Sequence, residues 1–297
     1  MTEKPIVLSV ENLHLGLRYD AAAELIHDVS VTIRAGERVG LVGQSGSGKS
    51  LLSLAIMGLL PSAIQIRSGT ITVVGERVDS RSESDLVAMR GQSMAMVYQN
   101  PLSSLNPVMR IGDQIAEAIR AHRAVSWRTS MTEAVELLDR VGVYEPAVSA
   151  RFYPHEFSGG MRQRAIIAMA ISCEPAILLA DEPTTALDVT TQARILSLLN
   201  DLSLERGMAV LFVTHNLAVA NSFCDRIDVM HEGQIVESGP TAQVLGAPKH
   251  PYTAALRNAI CTLDTDPHQR LYELPPDMSA TVSNGESSSP RMRGSRS

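Results

Sequence analysis

The residues with the most chemistry per position are Gly43-Gln44-Ser45-Gly46-Ser47-Gly48-Lys49-Ser50, which fit G-x-x-x-x-G-K-[ST]. Glycines at this spacing let consecutive backbone N–H groups turn inward around phosphate oxygens. A helix N-terminus behind them adds the positive end of its dipole. In such a loop Lys49 reaches the β- and γ-phosphates and the Ser50 hydroxyl is a Mg²⁺ ligand. The pattern needs a strand before it and a helix after it. Glu37–Val42 reads as a short buried strand and Leu51–Met57 as a helix, a context that a chance Gly/Ser-rich turn would not bring.

Other groups gain meaning beside that loop. The apolar run Ala176–Ala180 ends in Asp181-Glu182-Pro183. One carboxylate of that pair can hold Mg²⁺ through water and the other can orient or deprotonate an attacking water; the alternative is a helix cap. His215 closes a second buried run, Met208–Thr214, at the sheet end where ligands of α/β proteins bind. Gln99 follows the strand-like Met94–Tyr98, and taken alone it reads as a surface residue. Ser158-Gly159-Gly160-Met161 precedes a helix predicted from about Ala165 to Ser172, and its glycines leave N–H groups for an anion. Tyr19 stands in a polar stretch, either as surface packing or as a stacking platform for a nucleotide base.

The elements that must position these groups alternate in type. Val7–Val10, Val29–Ile33 and Ile71–Val74 predict strands of an N-terminal sheet, with Gly75-Glu76 turning the last of them back. Ile111, Ile115 and Ile119 recur at helical spacing. Ser130 and Glu133 form an S-x-x-E capping pattern ahead of Ala134–Leu138, and Gly142 is placed to end that helix. A helical insertion from about 100 to 172 therefore interrupts an α/β protein. Asp188 leads into a helix with Ile195, Leu198, Leu199 and Leu202 on its apolar face. Ile227–Met230 and Gln234–Glu237 flank a hairpin turn at His231-Glu232-Gly233.

Composition bounds the function. A net charge of −6 over 297 residues gives no overall basic footprint for nucleic acid. Cys173, Cys224 and Cys261 are far apart with no C-x-x-C pair, against a disulfide framework or a zinc site. The N-terminus lacks a signal-peptide pattern, and the longest apolar stretch, Leu51–Leu60, is too short to span a bilayer. Any membrane role is thus expected to come through a partner. Beyond about Pro275 the composition turns Ser/Pro/Gly/Arg-rich, and Ser279–Ser297 reads as disordered.

Together these motifs resemble the nucleotide-binding subunit of ATP-binding-cassette (ABC) transporters, from about Leu8 to Leu256. The resemblance implies a P-loop NTPase core of RecA-like α/β type, with an N-terminal antiparallel β-subdomain and an inserted α-helical subdomain. It implies a cassette over residues 1–258 and a C-terminal extension over 259–297. Gly43 to Ser50 is similar to the family's phosphate loop, and Tyr19 to its adenine-stacking aromatic. Gln99 resembles the glutamine that touches Mg²⁺ and the attacking water while its loop contacts the membrane subunit. Ser158, Gly159 and Gly160 resemble the family signature, with Met161 where glutamine is usual. Asp181 looks like the Mg²⁺-side aspartate, Glu182 the catalytic carboxylate, Asp188 the dimer-contact aspartate and His215 the γ-phosphate sensor. In this family two such subunits close head to tail over two ATP molecules, each sealing the other's nucleotide under its signature.

Gln99–Pro107, His250-Pro251-Tyr252-Thr253 and Ser53–Leu60 are similar to segments of the dipeptide, oligopeptide and nickel importer group. That narrower resemblance implies an ATPase acting with a second, different ATPase, two permeases and an extracytoplasmic solute-binding protein. It would sit peripherally on the cytoplasmic face of the inner membrane. Peptide is the expected cargo, with nickel or another small solute as the alternative. A soluble ABC ATPase acting on DNA or ribosomes is a remote one, since no heptad run is present. Many peptide-importing relatives hold an iron–sulfur cluster with C-terminal cysteines. Only Cys261 lies in that region here, so no cluster is expected.

Overall fold

The continuous apolar runs become a six-stranded sheet in the order β10-β9-β3-β8-β7-β6. The computed structural model describes residues 3–98, 104–184 and 187–259. The strands are β3 (Arg38–Val42), β6 (Met94–Val97), β7 (Ile177–Asp181), β8 (Ala209–Thr214), β9 (Arg226–His231) and β10 (Gln234–Pro240). All are parallel except β10, which returns antiparallel along one edge. Alternate residues enter different cores: Ile177 and Leu179 join Leu41 and Leu211, while Leu178 and Ala180 join Phe212 and Val229. A strand covered on both faces needs no polar alternation, which is why these segments read as apolar runs.

A second sheet, ordered β2-β1-β4-β5, covers one face. It consists of β1 (Ile6–Leu17), β2 (Glu24–Arg34), β4 (Ile64–Val73) and β5 (Glu76–Arg77), all antiparallel. Its inner residues Leu8, Ile26 and Ile71 share a core with Leu52 and Ile56 of helix Lys49–Ile56. The opposite face carries helices Ile111–His122, Trp127–Arg140, Gly159–Ile171, Val189–Arg206 and Leu217–Phe223. The expected α/β core with an antiparallel sheet and a helical region is what folds.

Three expectations are corrected. β1, β2 and β4 are longer than their apolar centres, because Glu11, Asn12 and Arg67 take outward positions and register shifts break the alternation. Ser130 does not cap a helix. The cap is Ser126, which accepts the Thr129 N–H, and Ser130 is buried inside the helix with its hydroxyl donating to the Trp127 carbonyl at 3.0 Å. The helix expected from Ala165 starts six residues earlier at Gly159, because Ser158 satisfies the Met161 N–H and offsets the cost of two glycines. Gly142, in a left-handed conformation, does follow the end of Trp127–Arg140, and Glu232-Gly233 does form the β9–β10 turn. Cys173 and Cys224 are free thiols, and burial pushes Cys224 up to about 12. Gln99, Cys261 and the tail read as disordered lie outside the described residues.

Candidate active site

Neighbouring strands β3, β8 and β7 end on one edge of the sheet, and β6 ends beside β7. The register pairs Val42 with Thr214 and Val213 with Asp181. Register alone therefore gathers loop 43–48, His215 and Asp181-Glu182 from distant parts of the chain. Gln99 would follow two residues after β6.

The loop is braced on its outer side. A side chain at Gly43 would place its Cβ 2.1 Å from the Met230 carbonyl oxygen, so no other residue fits. Gly48 precedes helix Lys49–Ile56 at φ +106°, open only to glycine without strain. The Ser47 carbonyl accepts the Gly233 N–H at 3.0 Å, pinning the loop to the β9–β10 turn. The buried Lys49 ammonium donates to the carbonyls of Gly43 (2.9 Å) and Gln44 (2.6 Å) and to Ser47 Oγ (3.1 Å). All three of its protons are spent on the loop. Burial lowers the Lys49 pKa, opposed by the charges of Glu182 and Asp181.

Asp181 ends β7 and is buried. Burial pushes its carboxyl up, against a hydrogen bond from the Ser50 hydroxyl that favours the ionised form. The Glu182 charge adds to the rise and Lys49 opposes it. Glu182 has a left-handed backbone (φ +47°), held by its N–H donating to the Val213 carbonyl at 2.9 Å. That conformation costs a non-glycine residue about 1–2 kcal/mol. Glu182 Oε1 lies 2.7 Å from His215 Nδ1. The pair joins a carboxylate 13% exposed to an imidazole 57% exposed, so the imidazole is the open side. Among the described residues neither carboxylate is the N-cap of a helix, and the next helix is capped by Asp188.

Two carboxylates face one ammonium here, an unfavourable balance for a polyphosphate unless a cation accompanies it. Ser50 Oγ and the Asp181 carboxylate are hard oxygen donors already bonded to each other, a set that fits Mg²⁺. Among the described residues no group of three or more His, Cys, Asp or Glu could hold a metal by itself. A cation at Ser50 and Asp181 would therefore take its remaining ligands from phosphate and water, as Mg²⁺ commonly does.

Tyr19, Ser158–Gly160 and Asp188 lie apart from this cluster. Tyr19 is 90% exposed on the turn between β1 and β2. The Arg67 guanidinium holds that turn through the carbonyls of Asp20 (2.7 Å), Ala21 (2.7 Å) and Ala23 (3.0 Å). Ser158 and Asp188 each cap a helix with the side chain, Asp188 Oδ1 accepting the Thr191 N–H at 2.9 Å. Arg164 ties the two helices, bonding the Gly142 carbonyl and Thr191 Oγ1. Sequence reading missed Arg67 and Arg164. Single polar residues inside regular elements carry no motif, and only their contacts reveal them.

Known proteins resemble this chain in sequence and fold. Residues 26–185 match the ABC transporter family. This chain belongs to it. Residues 236–287 match the C-terminal region of oligopeptide/dipeptide transporters. A Brucella abortus protein named as a peptide import ATP-binding protein is 50% identical over 263 residues, covering 86% of this chain and 78% of that one. The oligopeptide transport ATP-binding protein OppD of Salmonella typhimurium is 42% identical over 262 residues, covering 88% and 78%. The glutathione import ATP-binding protein GsiA of Escherichia coli is 45% identical, covering 86% of this chain and 42% of GsiA. Among solved structures, the ATP-binding cassette MJ0796 in a dimeric post-hydrolysis state bound to ADP and Pi has a TM-score of 0.71 at 28% identity. It covers 79% of this chain and 98% of that one. As an ABC family member, the chain is an ATPase. Among the described residues no helix is long and apolar enough to cross a membrane.

Proposed function

We propose that this chain is the ATP-hydrolysing subunit of a membrane importer of peptides. The observation that carries the cargo class is the match of residues 236–287 to the oligopeptide/dipeptide transporter C-terminal region, which overlaps the end of the cassette and runs beyond it. The relatives named for oligopeptide, peptide and glutathione import agree with it.

In this reading the loop N–H groups and Lys49 bind the phosphates, Lys49 exchanging its loop carbonyls for phosphate oxygens. Ser50 and Asp181, with Gln99, would hold Mg²⁺, which supplies charge neutralisation between the phosphates when bound. Glu182 orients and deprotonates the attacking water. His215 steadies Glu182 through Nδ1 and leaves Nε2 for the γ-phosphate. Tyr19, displayed by the Arg67-held turn, stacks on the adenine. Ser158, Gly159 and Gly160 lie on the surface, Ser158 and Gly159 exposed, and exposed Asp188 is tied to them through Thr191 and Arg164. That placement supports a second ATPase subunit as the owner of the nucleotide they contact.

The membrane partners would be two permeases, served by a solute-binding protein, with this chain peripheral on the inner face. An apolar cleft of about 210 Å³ is lined by Met57, Met94, Met96, Tyr98, His122 and Met169, and Tyr98 directly precedes Gln99 in sequence. It supports permease contact there. Residues 1–258 act as the cassette and 259–297 as an extension.

Uptake by cells tests the proposal. Labelled dipeptide, longer peptide, glutathione and nickel are offered to cells carrying this chain or its Glu182→Gln form. Loss of peptide uptake alone with the variant is expected. Loss of nickel uptake alone, or unchanged entry of every solute, overturns the peptide assignment.

A further inference from the structure

His250-Pro251-Tyr252-Thr253 opens helix Pro251–Asn258, and the ATPase scheme gives it no task. Tyr252 is 2% exposed, yet its hydroxyl accepts the backbone N–H of Gln44, inside the phosphate loop, at 2.9 Å. The ring is fixed as well. It stacks on His231 with centroids 3.8 Å apart and planes 21° from parallel. His231 ends β9, one residue after the Met230 carbonyl that abuts Gly43. The backbone leading into the helix is tied to β10, because the Glu237 carboxylate accepts the N–H groups of Lys249 (2.9 Å) and His250 (3.0 Å). His250 Nδ1 then caps the helix through the Tyr252 N–H at 3.2 Å.

The same short stretch of loop is thus held from two sides. Tyr252 takes the Gln44 N–H, and Lys49 takes the Gln44 and Gly43 carbonyls. When the Lys49 ammonium turns to a phosphate it must give up carbonyl bonds, because all three of its protons are already in use. With its N–H already given to Tyr252, Gln44 leaves the phosphate to the other N–H groups of the loop, and the Tyr252 bond can stay in place through the exchange. Core packing alone would not call for the hydroxyl, since phenylalanine would fill the same space and stack on His231 equally well.

We infer that Tyr252 is a positioning residue of the nucleotide site, its hydroxyl holding the Gly43-Gln44 end of the loop in place while Lys49 transfers its bonds to ATP. This rests on the ATPase reading of the loop. It makes the C-terminal segment a structural part of the phosphate site. The hydroxyl matters more with nucleotide than without, because without nucleotide Lys49 holds the same peptides.

The test is Tyr252→Phe in the full chain, with ATP titration in Mg²⁺, steady-state hydrolysis and amide hydrogen exchange at Gln44. Expected are a Kd and a KM for ATP raised about two- to tenfold, the worth of one net hydrogen bond. kcat should stay within about twofold, and the Gln44 amide should exchange faster. A role in packing alone would leave melting temperature, ATP affinity and Gln44 exchange all unmoved, since phenylalanine keeps the ring in place. In the unsubstituted protein the Gln44 amide should stay protected when ATP is added; loss of protection overturns the inference whatever the variant does. Equal ATP affinity and equal Gln44 exchange in both proteins overturn this inference alone. Absence of ATP binding by the unsubstituted chain overturns the ATPase reading beneath it.

Discussion

Glu182→Gln separates basicity from geometry at the proposed reaction centre. The left-handed backbone at φ +47° makes the same demand on either residue, and the N–H bond to Val213 is untouched. The glutamine carbonyl oxygen can still accept from His215 Nδ1, so the 2.7 Å contact survives. What disappears is one proton acceptor and one negative charge. A positioned general base contributes about 10²–10⁴ in rate, or about 2.7–5.4 kcal/mol of barrier. Removing one of two carboxylates that face Lys49 also eases entry of a polyphosphate. One charge pair at about 4 Å in a water-like dielectric amounts to about 1 kcal/mol. ATP affinity should therefore be unchanged or up to about fivefold tighter while kcat falls at least about a hundredfold. Phosphate release by the purified protein gives the first quantity and ATP titration the second. A kcat within tenfold of the parent refutes Glu182 as base. ATP binding weakened more than about threefold, with kcat preserved, would make it a binding group instead.

Lys49→Ala removes the three hydrogen bonds that hold the loop and the charge opposite Asp181 and Glu182, so ATP affinity should fall at least about tenfold. Unchanged affinity in a titration refutes the phosphate-loop assignment. Asp181→Asn should weaken Mg²⁺-ATP binding yet raise the melting temperature of the nucleotide-free protein at neutral pH. A carboxyl with a raised folded pKa ionises more readily in the unfolded chain. Asp181 therefore costs stability as pH rises from the ordinary 3.8 through the higher folded value, and the asparagine variant escapes that loss. A lower melting temperature for the variant at pH 7 counts against it. Arg226→Met strands the buried Asp228 carboxylate, which Arg226 Nη1 bonds at 2.6 Å. About 3–5 kcal/mol of stability should go. A urea titration showing less than 1 kcal/mol would mean that Ser238 Oγ, which donates to Asp228 at 2.5 Å, suffices.

Segments buried on both faces, or carrying a spaced motif, were the legible ones. Ala176–Ala180 and Met208–Thr214 announced themselves because two cores demand unbroken apolar runs. The Gly43–Ser50 spacing announced the phosphate loop. The antiparallel sheet was half legible, since each strand buries one side and register shifts at Asn12 and His14 spoil the alternation. Helix starts misled where two serines competed. Ser126 and Ser130 both precede apolar residues, and only the fold shows that Ser130 is packed inside. Hydrogen bonds between distant parts of the chain, such as Gly233 N–H to the Ser47 carbonyl and Gln44 N–H to the Tyr252 hydroxyl, leave no local pattern at all.

The place of β3 in its sheet has a consequence for biosynthesis. β3 lies between β8 and β9, although it is made far ahead of both. As the chain leaves the ribosome, the complete loop Gly43–Ser50 emerges while both strands that must flank it are still untranslated. Until residues 209–231 appear, β3 offers two bare edges and no His215 stands beside the loop. Such late, long-range strand pairing is slow and prone to misassociation. A product terminated before β8 would carry every residue of the phosphate motif with neither parallel neighbour of β3 in place, so the loop gains its sheet context only when residues 209–231 have been made.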